Sequence, residues 1–249
     1  MNKLWRSLRV LMGGGRQRDQ RHLRRHAVAC LKLLFPDGYE GEFFLCAGAF
    51  KPWLQEGIEV RDYDLYVRNR KDREQLHEAL LARGAVLIQD FQPFCRLYRL
   101  EKHNVEVTYH NVKAGGLPEI FALFDLSIAA VGLQYRKGRL LAVEASEECW
   151  ATRRDQEVRL CGLWRERLLK AEQPNPLGTI QRMPAQAERL GFGYSKADLA
   201  LLWECFESCY SREQKEVAID IYQRIAGEYK GEMDEALLAR AQRLTASHE

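Results

Sequence analysis

Two aspartates, Asp62 and Asp64, lie two positions apart in VRDYDLYV (60–67), a stretch that otherwise has the composition of a buried strand. Residues i and i+2 of a strand point to the same face, so the two carboxylates are expected side by side, with Tyr63 and Leu65 facing the other way. Two like charges this close repel unless a cation lies between them, and Mg²⁺ is a hard ion that prefers oxygen ligands. The pair indicates a metal site, although a bare D-x-D also fits an edge strand with a hydrated acidic face.

Short apolar segments on both sides of this pair predict a sheet. FFLCA (43–47) precedes it and RLLAVEA (139–145) ends the series; between them lie AVLIQDF (85–91), FCRLYRL (94–100) and VEVTYH (105–110). KDREQLHEALLARG (71–84) has apolar residues at helical spacing and ends in Gly84, which predicts a helix. LPEIFALFDLSIAAVGL (117–133) is also helical in its apolar period. Helices that alternate with strands indicate a mixed α/β layer.

The C-terminal third of the chain predicts helices only. We expect them over 176–190, 196–210, 212–228 and 233–246. Gly191 supplies a stop signal for the first of them. Ser195 with Asp198, and Ser211 with Gln214, have the spacing of capping boxes, which indicates where two of the helices begin.

Four segments occur in an order that matches one known family. The segment Ala47–Pro52 aligns with the motif G-G-A-x-R-D. Four residues separate Gly57 from the D-x-D pair, which is the spacing of the family pattern. FDLSIAA (124–130) is similar to R-D-F-T-I-N-A, and PNPLGTIQRMPAQAERLGF (174–192) is similar to the family's neck helix, including the final Leu-Gly-Phe. The chain thus resembles the polymerase beta-like nucleotidyltransferases, specifically the head and neck of class II CCA-adding enzymes and bacterial poly(A) polymerases.

The resemblance implies a fold and an activity. The expected fold class is α+β, with a nucleotidyltransferase head (a mixed sheet with flanking helices) followed by an all-helical neck and C-terminal region. The implied division is a basic helical arm at 1–36, the head at 37–172 and the helical region at 173–249. Enzymes of this family move a nucleoside monophosphate from an NTP to a hydroxyl, commonly an RNA 3′ end. The implied cofactor is Mg²⁺, with Mn²⁺ as an alternative, and the NTP is the substrate.

The resemblance also implies roles for particular residues. Asp62 and Asp64 would hold the metal ions and take part in catalysis. Glu106 is the candidate for a third carboxylate from a neighbouring strand, and the alternative is a plain strand-edge glutamate. The positions implied for nucleotide contacts are Gly48, Lys51, Asp125 and Arg182. Asp125 either serves the nucleotide or caps its own helix.

The chain departs from the family pattern at positions that meet the nucleotide. Ala47 replaces the first glycine, Lys51 the arginine, Pro52 the aspartate and Leu123-Phe124 an arginine pair, while the base-reading E-D-x-x-R appears as Asn175-Pro176 and then Thr179. Lysine still meets a triphosphate as a point charge, but it lacks the two-pronged geometry of arginine. We therefore expect a divergent relative, and the choice of nucleotide stays open.

Positive charge is concentrated at the N-terminus. The chain has 38 Lys and Arg against 35 Asp and Glu, which gives a net charge of +3. Residues 1–36 hold nine of the basic residues and only one acidic residue, Asp19, so the rest carries 29 − 34 = −5. Arg-rich residues with Leu, Val and Trp at helical spacing predict a short helix, a hinge at the triple glycine and a longer basic helix. Such an arm is expected either to contact an anionic partner, nucleic acid above all, or to be a solvated helix face.

Composition bounds the class of protein. With 249 residues, 46% apolar and 29% charged, the chain is expected to fold into a globular structure with a core. Seven cysteines without a CxxC pair, and a basic N-terminus without an apolar signal segment, predict a cytoplasmic protein that is not secreted. No run approaches the roughly 18 apolar residues of a membrane span.

A second function remains open from the sequence alone. The chain could keep the fold without turnover and bind nucleic acid or a protein partner, or it could be a transferase that modifies a protein. Retention of both aspartates favours catalysis, because a purely structural descendant has no reason to keep two adjacent like charges.

Overall fold

The structure, a computed structural model, describes residues 14–109, 115–173, 175–228 and 233–246. Close packing divides the chain into two compact units. The first unit comprises the described residues of Met1–Phe121 and of Val131–Ala145; the second comprises those of Ala122–Ala130 and of Ser146–Glu249. The predicted division into arm, head and helical region stays a prediction, because packing groups residues without testing which segments fold on their own.

A seven-stranded mixed sheet forms the first unit. Its strands are β1 (Glu42–Cys46), β2 (Asp62–Tyr66), β3 (Val86–Phe91), β4 (Cys95–Leu100), β5 (His103–Thr108), β6 (Val131–Arg136) and β7 (Arg139–Ala145). They lie in the order β3-β4-β5-β2-β1-β6-β7. The pair β2–β5 is parallel and every other neighbouring pair is antiparallel. The predicted α+β fold class, with a mixed sheet and flanking helices before a helical region, is confirmed.

Strand β1 is the apolar centre of this sheet. All five of its residues are buried, and the side chains of Phe43, Phe44 and Leu45 have no exposed surface. A continuous apolar run of this kind suits a strand that is covered on both faces. Its neighbour β2 alternates instead, with Tyr63 and Leu65 buried between half-buried residues. One face of β2 therefore packs into the core, while the other presents polar side chains.

Three helices flank the sheet in this unit, and a fourth short one precedes β6. They are α1 (Gly14–Leu34), α2 (Lys51–Leu54), α3 (Arg70–Ala82) and α4 (Leu117–Phe121). The predicted longer basic helix corresponds to α1, whereas the predicted short helix before the triple glycine lies mainly outside the described residues. Asn69 begins α3 as its N-cap, because its side chain accepts the N–H of Asp72 at 2.9 Å.

The helix predicted over 117–133 is wrong beyond its first turn. The chain forms α4, then a 3₁₀ turn at Ser127–Ala129, and then enters the sheet as β6. A short apolar run does not distinguish a buried strand from a helix, because both faces of either one can be covered. Gly132 allows β6 to pack closely on β1: a Cβ there would lie 2.5 Å from the Cys46 Sγ and 2.6 Å from the Leu45 carbonyl oxygen.

The second unit is helical apart from a two-stranded pair. Its helices are α5 (Glu147–Asp155), α6 (Gly162–Leu169), α7 (Pro176–Leu190), α8 (Lys196–Ser208), α9 (Arg212–Glu228) and α10 (Glu235–Ala246), and its strands are β8 (Glu157–Val158) and β9 (Gly193–Tyr194). The capping box of Ser211 and Gln214 forms with both of its hydrogen bonds. At Ser195 only half of the predicted box forms: Asp198 N–H donates to Ser195 Oγ, but the Ser195 N–H donates to the Val158 carbonyl oxygen and the Asp198 carboxylate accepts the Leu160 N–H. Gly191, with φ of 64°, ends α7 in the left-handed conformation that favours glycine.

Two general features follow from the described residues. None of their helices combines the length and apolarity that crossing a membrane requires. All seven cysteines are free thiols, and only Cys209 is exposed.

Candidate active site

Strand β2 places Asp62 and Asp64 on one face of the sheet. Tyr63 and Leu65 are buried on the opposite face, so the alternation of the strand directs both aspartates away from that core layer. Both aspartates are half-buried. Asp64 lies opposite Cys46, the last residue of β1, which brings it to the point where the chain leaves that strand.

The turn after β1 wraps around the Asp64 carboxylate. Ala47–Phe50 form a 3₁₀ turn, and the backbone N–H of Gly48 donates to Asp64 Oδ2 at 2.9 Å. A Cβ on residue 48 would lie 2.9 Å from the Asp62 carbonyl oxygen and 3.0 Å from Asp64 Oδ2. Only glycine therefore fits at this position without a shift of the backbone.

Ala47 adopts a strained conformation in the same turn. Its φ is 53°, in the left-handed region that costs a non-glycine residue about 1 to 2 kcal/mol. This is the position at which the chain departs from a glycine in the motif described above. The turn thus keeps the conformation that a glycine would adopt, although alanine occupies the position.

A third carboxylate lies on the neighbouring strand. Glu106 of β5 is directly paired with Asp64 in the parallel register, and it accepts the Thr108 hydroxyl at 3.1 Å. Asn104, two residues earlier on the same face, is paired with Asp62 and donates from Nδ2 to its Oδ1 at 2.9 Å. The two strands therefore place three carboxylates on one face of the sheet, and Asn104 fixes the orientation of one of them.

Burial and neighbouring groups together shift the pKa of Asp64. Burial raises the pKa of Asp64 to about 6, and the Gly48 N–H opposes that rise by stabilising the carboxylate. The negative charges of Glu106 and Asp62 raise the pKa further, whereas the positive charge of Lys51 lowers it. Lys51, at the start of α2, is therefore close enough to influence the acidic cluster.

The donor set fits a magnesium ion that is completed by substrate. As the side chains lie, the described part of the chain contains no group of three or more His, Cys, Asp or Glu arranged around one metal position. Magnesium in proteins is often held by one or two carboxylates, with substrate phosphates and water as the remaining ligands. Asp62 and Asp64 supply such a pair, with like charges that a cation would compensate.

A histidine supports the turn from the side of α1. His26 bonds through Nε2 to the Ala49 carbonyl oxygen at 2.7 Å, and its ring packs edge-on against Phe50 at 5.6 Å between ring centroids. Burial lowers the pKa of His26, which favours a neutral ring that donates this bond. The turn that presents the Gly48 N–H is thus held both by the sheet and by α1.

The other two predicted residues, Asp125 and Arg182, lie together in the second unit. Arg182 of α7 forms an ion pair with Asp125. The same carboxylate accepts the Thr179 hydroxyl at 2.7 Å and the Leu126 N–H at 2.8 Å. Asp125 therefore ties its loop to α7 instead of capping a helix, since the following 3₁₀ turn has no side-chain cap. The Arg182 side chain remains 55% exposed, with donors that the ion pair does not occupy.

Comparisons with known proteins identify the fold. No family model and no curated protein matches the sequence. Among solved structures, a tRNA-processing enzyme in its apo form is 18% identical, with a TM-score of 0.52 and coverage of 83% of this chain and 53% of that one. A CCA-adding enzyme in complex with CTP is 14% identical, with a TM-score of 0.54 and coverage of 84% and 54%. The fold is that of the CCA-adding enzymes.

An apo CCA-adding enzyme gives a similar result, with 15% identity, a TM-score of 0.53 and coverage of 83% of this chain and 46% of that one. The resemblance predicted from the four sequence segments is thus confirmed at the level of the fold. The chain spans about half the length of the solved structures that it matches. At such low identity the similarity shows the CCA-adding fold and leaves the activity to be inferred from the residues.

Three residues that contact the predicted site residues or the turn beside them were not predicted from the sequence. Asn104 could have been found by counting back two positions from Glu106, because alternate residues of a strand share a face. Thr179 occupies the position of the arginine in the E-D-x-x-R motif of the CCA-adding enzymes, which hid its role as a partner of Asp125. His26 gave no signal, because only the fold brings α1 to the turn after β1.

Proposed function

We propose that this protein is a metal-dependent nucleotidyltransferase that moves a nucleoside monophosphate from an NTP to a hydroxyl, with an RNA 3′ end as the acceptor. One observation carries the proposal: Asp62 and Asp64 lie side by side on β2, and the Gly48 N–H donates to Asp64 from an adjacent turn that admits only glycine. Such a cluster of like charges disfavours folding, so its presence in a CCA-adding fold favours a catalytic role.

In this proposal the carboxylates hold the ions that the reaction needs. Asp62 and Asp64 bind Mg²⁺ or Mn²⁺, Glu106 adds a third carboxylate, and Asn104 keeps Asp62 oriented. When bound, divalent ions lower the pKa of an attacking hydroxyl and offset charge on a triphosphate. Asp64 keeps a fixed position because it accepts the Gly48 N–H. The protein's own contribution is thus to position the reacting groups and to supply an electrostatic field around them.

Each unit by itself carries residues that are candidates for nucleotide contacts. Gly48 lets phosphates approach the backbone closely, and Lys51 offers a positive charge at the start of α2. In the second unit, Arg182 would offer its free N–H donors to a phosphate or a base while Asp125 holds the guanidinium in place.

The proposed reaction is a single displacement. The oxygen of the acceptor hydroxyl attacks the α-phosphorus of the NTP, the bond to the bridging oxygen breaks, and pyrophosphate leaves with the bonding electrons. The proton of the hydroxyl passes to solvent. The chain spans about half the length of the tRNA-processing enzyme that it matches. We therefore do not restrict the acceptor to tRNA, which is one candidate among RNA 3′ ends.

Label transfer tests the proposal. The purified protein is incubated with each α-³²P-labelled NTP, Mg²⁺ or Mn²⁺ and total RNA, in parallel with the double variant Asp62→Asn, Asp64→Asn. The matched control is Glu56→Gln, Glu59→Gln, which removes two exposed carboxylates a few residues earlier. We expect label in RNA with the wild type and the control, and none with the aspartate variant.

The outcomes separate the alternatives. Label on a protein instead of RNA would change the acceptor and keep the chemistry. Transfer that survives the aspartate substitutions would refute the assigned site. Nucleotide or RNA binding without any transfer, in all metals, would instead support a binding protein that has lost turnover.

A further inference from the structure

Helix α1 has two faces of opposite character. Leu23, Ala27, Cys30 and Leu34 are buried against the first unit, whereas Arg18, Arg21, Arg24 and Arg25 are exposed and, with Val28, line one open depression. At about 100° per residue, the middle of the arginine arc lies roughly 160° from the middle of the buried stripe. The arginines therefore face directly away from the core.

The charge of this arginine face is not neutralised by the rest of the described chain. None of the four arginines forms an ion pair with a carboxylate among the described residues, unlike Arg212 and Arg224 on α9. The only acidic residue of α1, Asp19, lies toward the first unit, where its carbonyl oxygen accepts the Trp53 indole N–H at 3.3 Å. Four unpaired guanidinium groups on one face form a strongly positive surface.

Helix α1 is held rigidly beside the candidate active site. Gln20 Nε2 donates to the Val143 carbonyl oxygen at 2.8 Å, and His26, the residue after Arg25, bonds to the Ala49 carbonyl oxygen. Ala49 follows Gly48, whose N–H donates to Asp64. A short chain of contacts thus connects the arginine face to the aspartates within the first unit, so the face is a fixed surface and not a free arm.

We propose that the arginine face of α1 binds the phosphate backbone of the acceptor RNA strand and holds it at a fixed position relative to Asp62 and Asp64. This inference rests on the proposed function for the identity of the acceptor. Guanidinium groups bind phosphate in a two-pronged geometry, and contacts to phosphate carry no sequence information. Binding is therefore independent of sequence and serves to position the strand.

The length of the arginine face limits how many phosphates it can contact. Arg18 to Arg25 span about 10 Å along the helix axis, a length over which one strand of a duplex presents about three phosphates. Each phosphate contact releases about 0.7 counterion from a single strand, so the loss of two arginines should flatten the slope of log affinity against log salt by about 1.4. Between about 50 and 200 mM salt, the wild type should lose about sevenfold more affinity than such a variant.

The test uses the full chain with two arginines changed. Arg21→Gln, Arg25→Gln is compared with Arg212→Gln, Arg224→Gln, which removes the same charge from helix positions that already have carboxylate partners. Binding of a short, 5′-labelled single-stranded RNA is measured by fluorescence anisotropy over a salt series. Thermal unfolding of all variants should match the wild type, because the changed side chains are exposed.

We expect a flatter salt slope for the α1 variant only. In turnover, the α1 variant should raise the KM for RNA while kcat and the KM for the NTP stay unchanged, because the arginines position the strand without touching the reacting atoms. An unchanged salt slope, equal effects of both variants, or binding of anionic vesicles in place of RNA would overturn the inference.

Failure of this inference can be told apart from failure of the proposed function. Asp62→Asn, Asp64→Asn should bind RNA at least as tightly as the wild type. Arginine-dependent RNA binding without label transfer by the wild type would refute the enzyme and keep the docking face. Label transfer that is indifferent to Arg21 and Arg25 would refute the docking face and keep the enzyme.

Discussion

Replacement of Asp64 by asparagine should stabilise the fold while it removes the proposed activity. Asparagine keeps the size of the side chain and an oxygen that can accept the Gly48 N–H, but it carries no charge. The carboxylate it replaces is disfavoured in the folded state by burial and by the charges of Glu106 and Asp62. Removal of the charge therefore removes an unfavourable contribution to folding.

The magnitude follows from the pKa of Asp64. Burial and neighbouring charges raise that pKa from 3.8 to about 6, a difference of about two pKa units. Each unit corresponds to about 1.4 kcal/mol, so the charged form destabilises the folded state by up to about 3 kcal/mol at pH 7. Partial exposure of the side chain reduces this, and we expect a gain of about 1 to 3 kcal/mol for the variant.

The sign of the pH dependence is fixed by the direction of the shift. Because the folded protein holds the Asp64 proton more tightly than the unfolded chain, the wild type loses stability as the pH rises from about 4 to about 6. Above the folded pKa the loss is complete. The stability difference between Asp64→Asn and the wild type should therefore be small near pH 4 and largest at pH 7.

Urea unfolding in the presence of a chelator measures this difference at several pH values. Glu59→Gln, an exposed carboxylate outside the cluster, is the matched control and should show little change at any pH. Addition of Mg²⁺ with an NTP should stabilise the wild type more than Asp64→Asn, because the variant lacks one of the two carboxylates proposed to hold the ion. A variant that is less stable than the wild type throughout, or a difference that does not grow with pH, would refute the electrostatic reasoning.

The turn and the hairpin beside the site give three further predictions. Gly48→Ala should destabilise the protein by about 1 to 3 kcal/mol and lower label transfer at least tenfold, because its Cβ would contact backbone at 2.9 Å; urea unfolding and the transfer assay measure both effects. Ala47→Gly should raise stability in urea by about 0.5 to 1 kcal/mol and keep activity, because it relieves the positive φ; a destabilised variant would contradict the strain. Arg96→Gln should lower stability by about 1 to 2 kcal/mol at neutral pH, because the guanidinium bonds to Glu74 and Asp90 at 3.0 and 3.1 Å. Those bonds lower the pKa of Glu74 and contribute to the lowered pKa of Asp90. The stability lost in Arg96→Gln should therefore shrink in urea titrations as the pH falls below about 4. A stability loss that does not change with pH would contradict this explanation.

The elements that the sequence predicts well are those in which local chemistry and burial agree. Strand β2 alternates by two because only one of its faces is buried, so the placement of Asp62 and Asp64 on one side could be deduced from their spacing. Helix α7 begins and ends where Pro176 and Gly191 predict, because proline suits the first helical turn and glycine the left-handed cap.

The elements that the sequence predicts poorly depend on contacts that are distant along the chain. Strand β6 resembles a helix in its apolar period, and only its pairing with β1 makes Val131–Arg136 extended. The contact between His26 and the Ala49 carbonyl joins residues 23 positions apart, and nothing in the local sequence specifies it. Residue types therefore indicate which groups can act, whereas the fold decides which of them meet.

Three unusual features of the first unit lie together at one turn. Ala47 is held at positive φ, Gly48 leaves no room for a Cβ, and the adjacent Asp64 carries a charge that burial and two neighbouring carboxylates disfavour. Each of these lowers the stability of the fold, and a simple substitution at position 47 or 64 would relieve it. Strain and like charge at one place are typical of a site kept for its chemistry. The stability gained by Ala47→Gly and Asp64→Asn therefore measures how much stability the fold loses by keeping this turn and its charge.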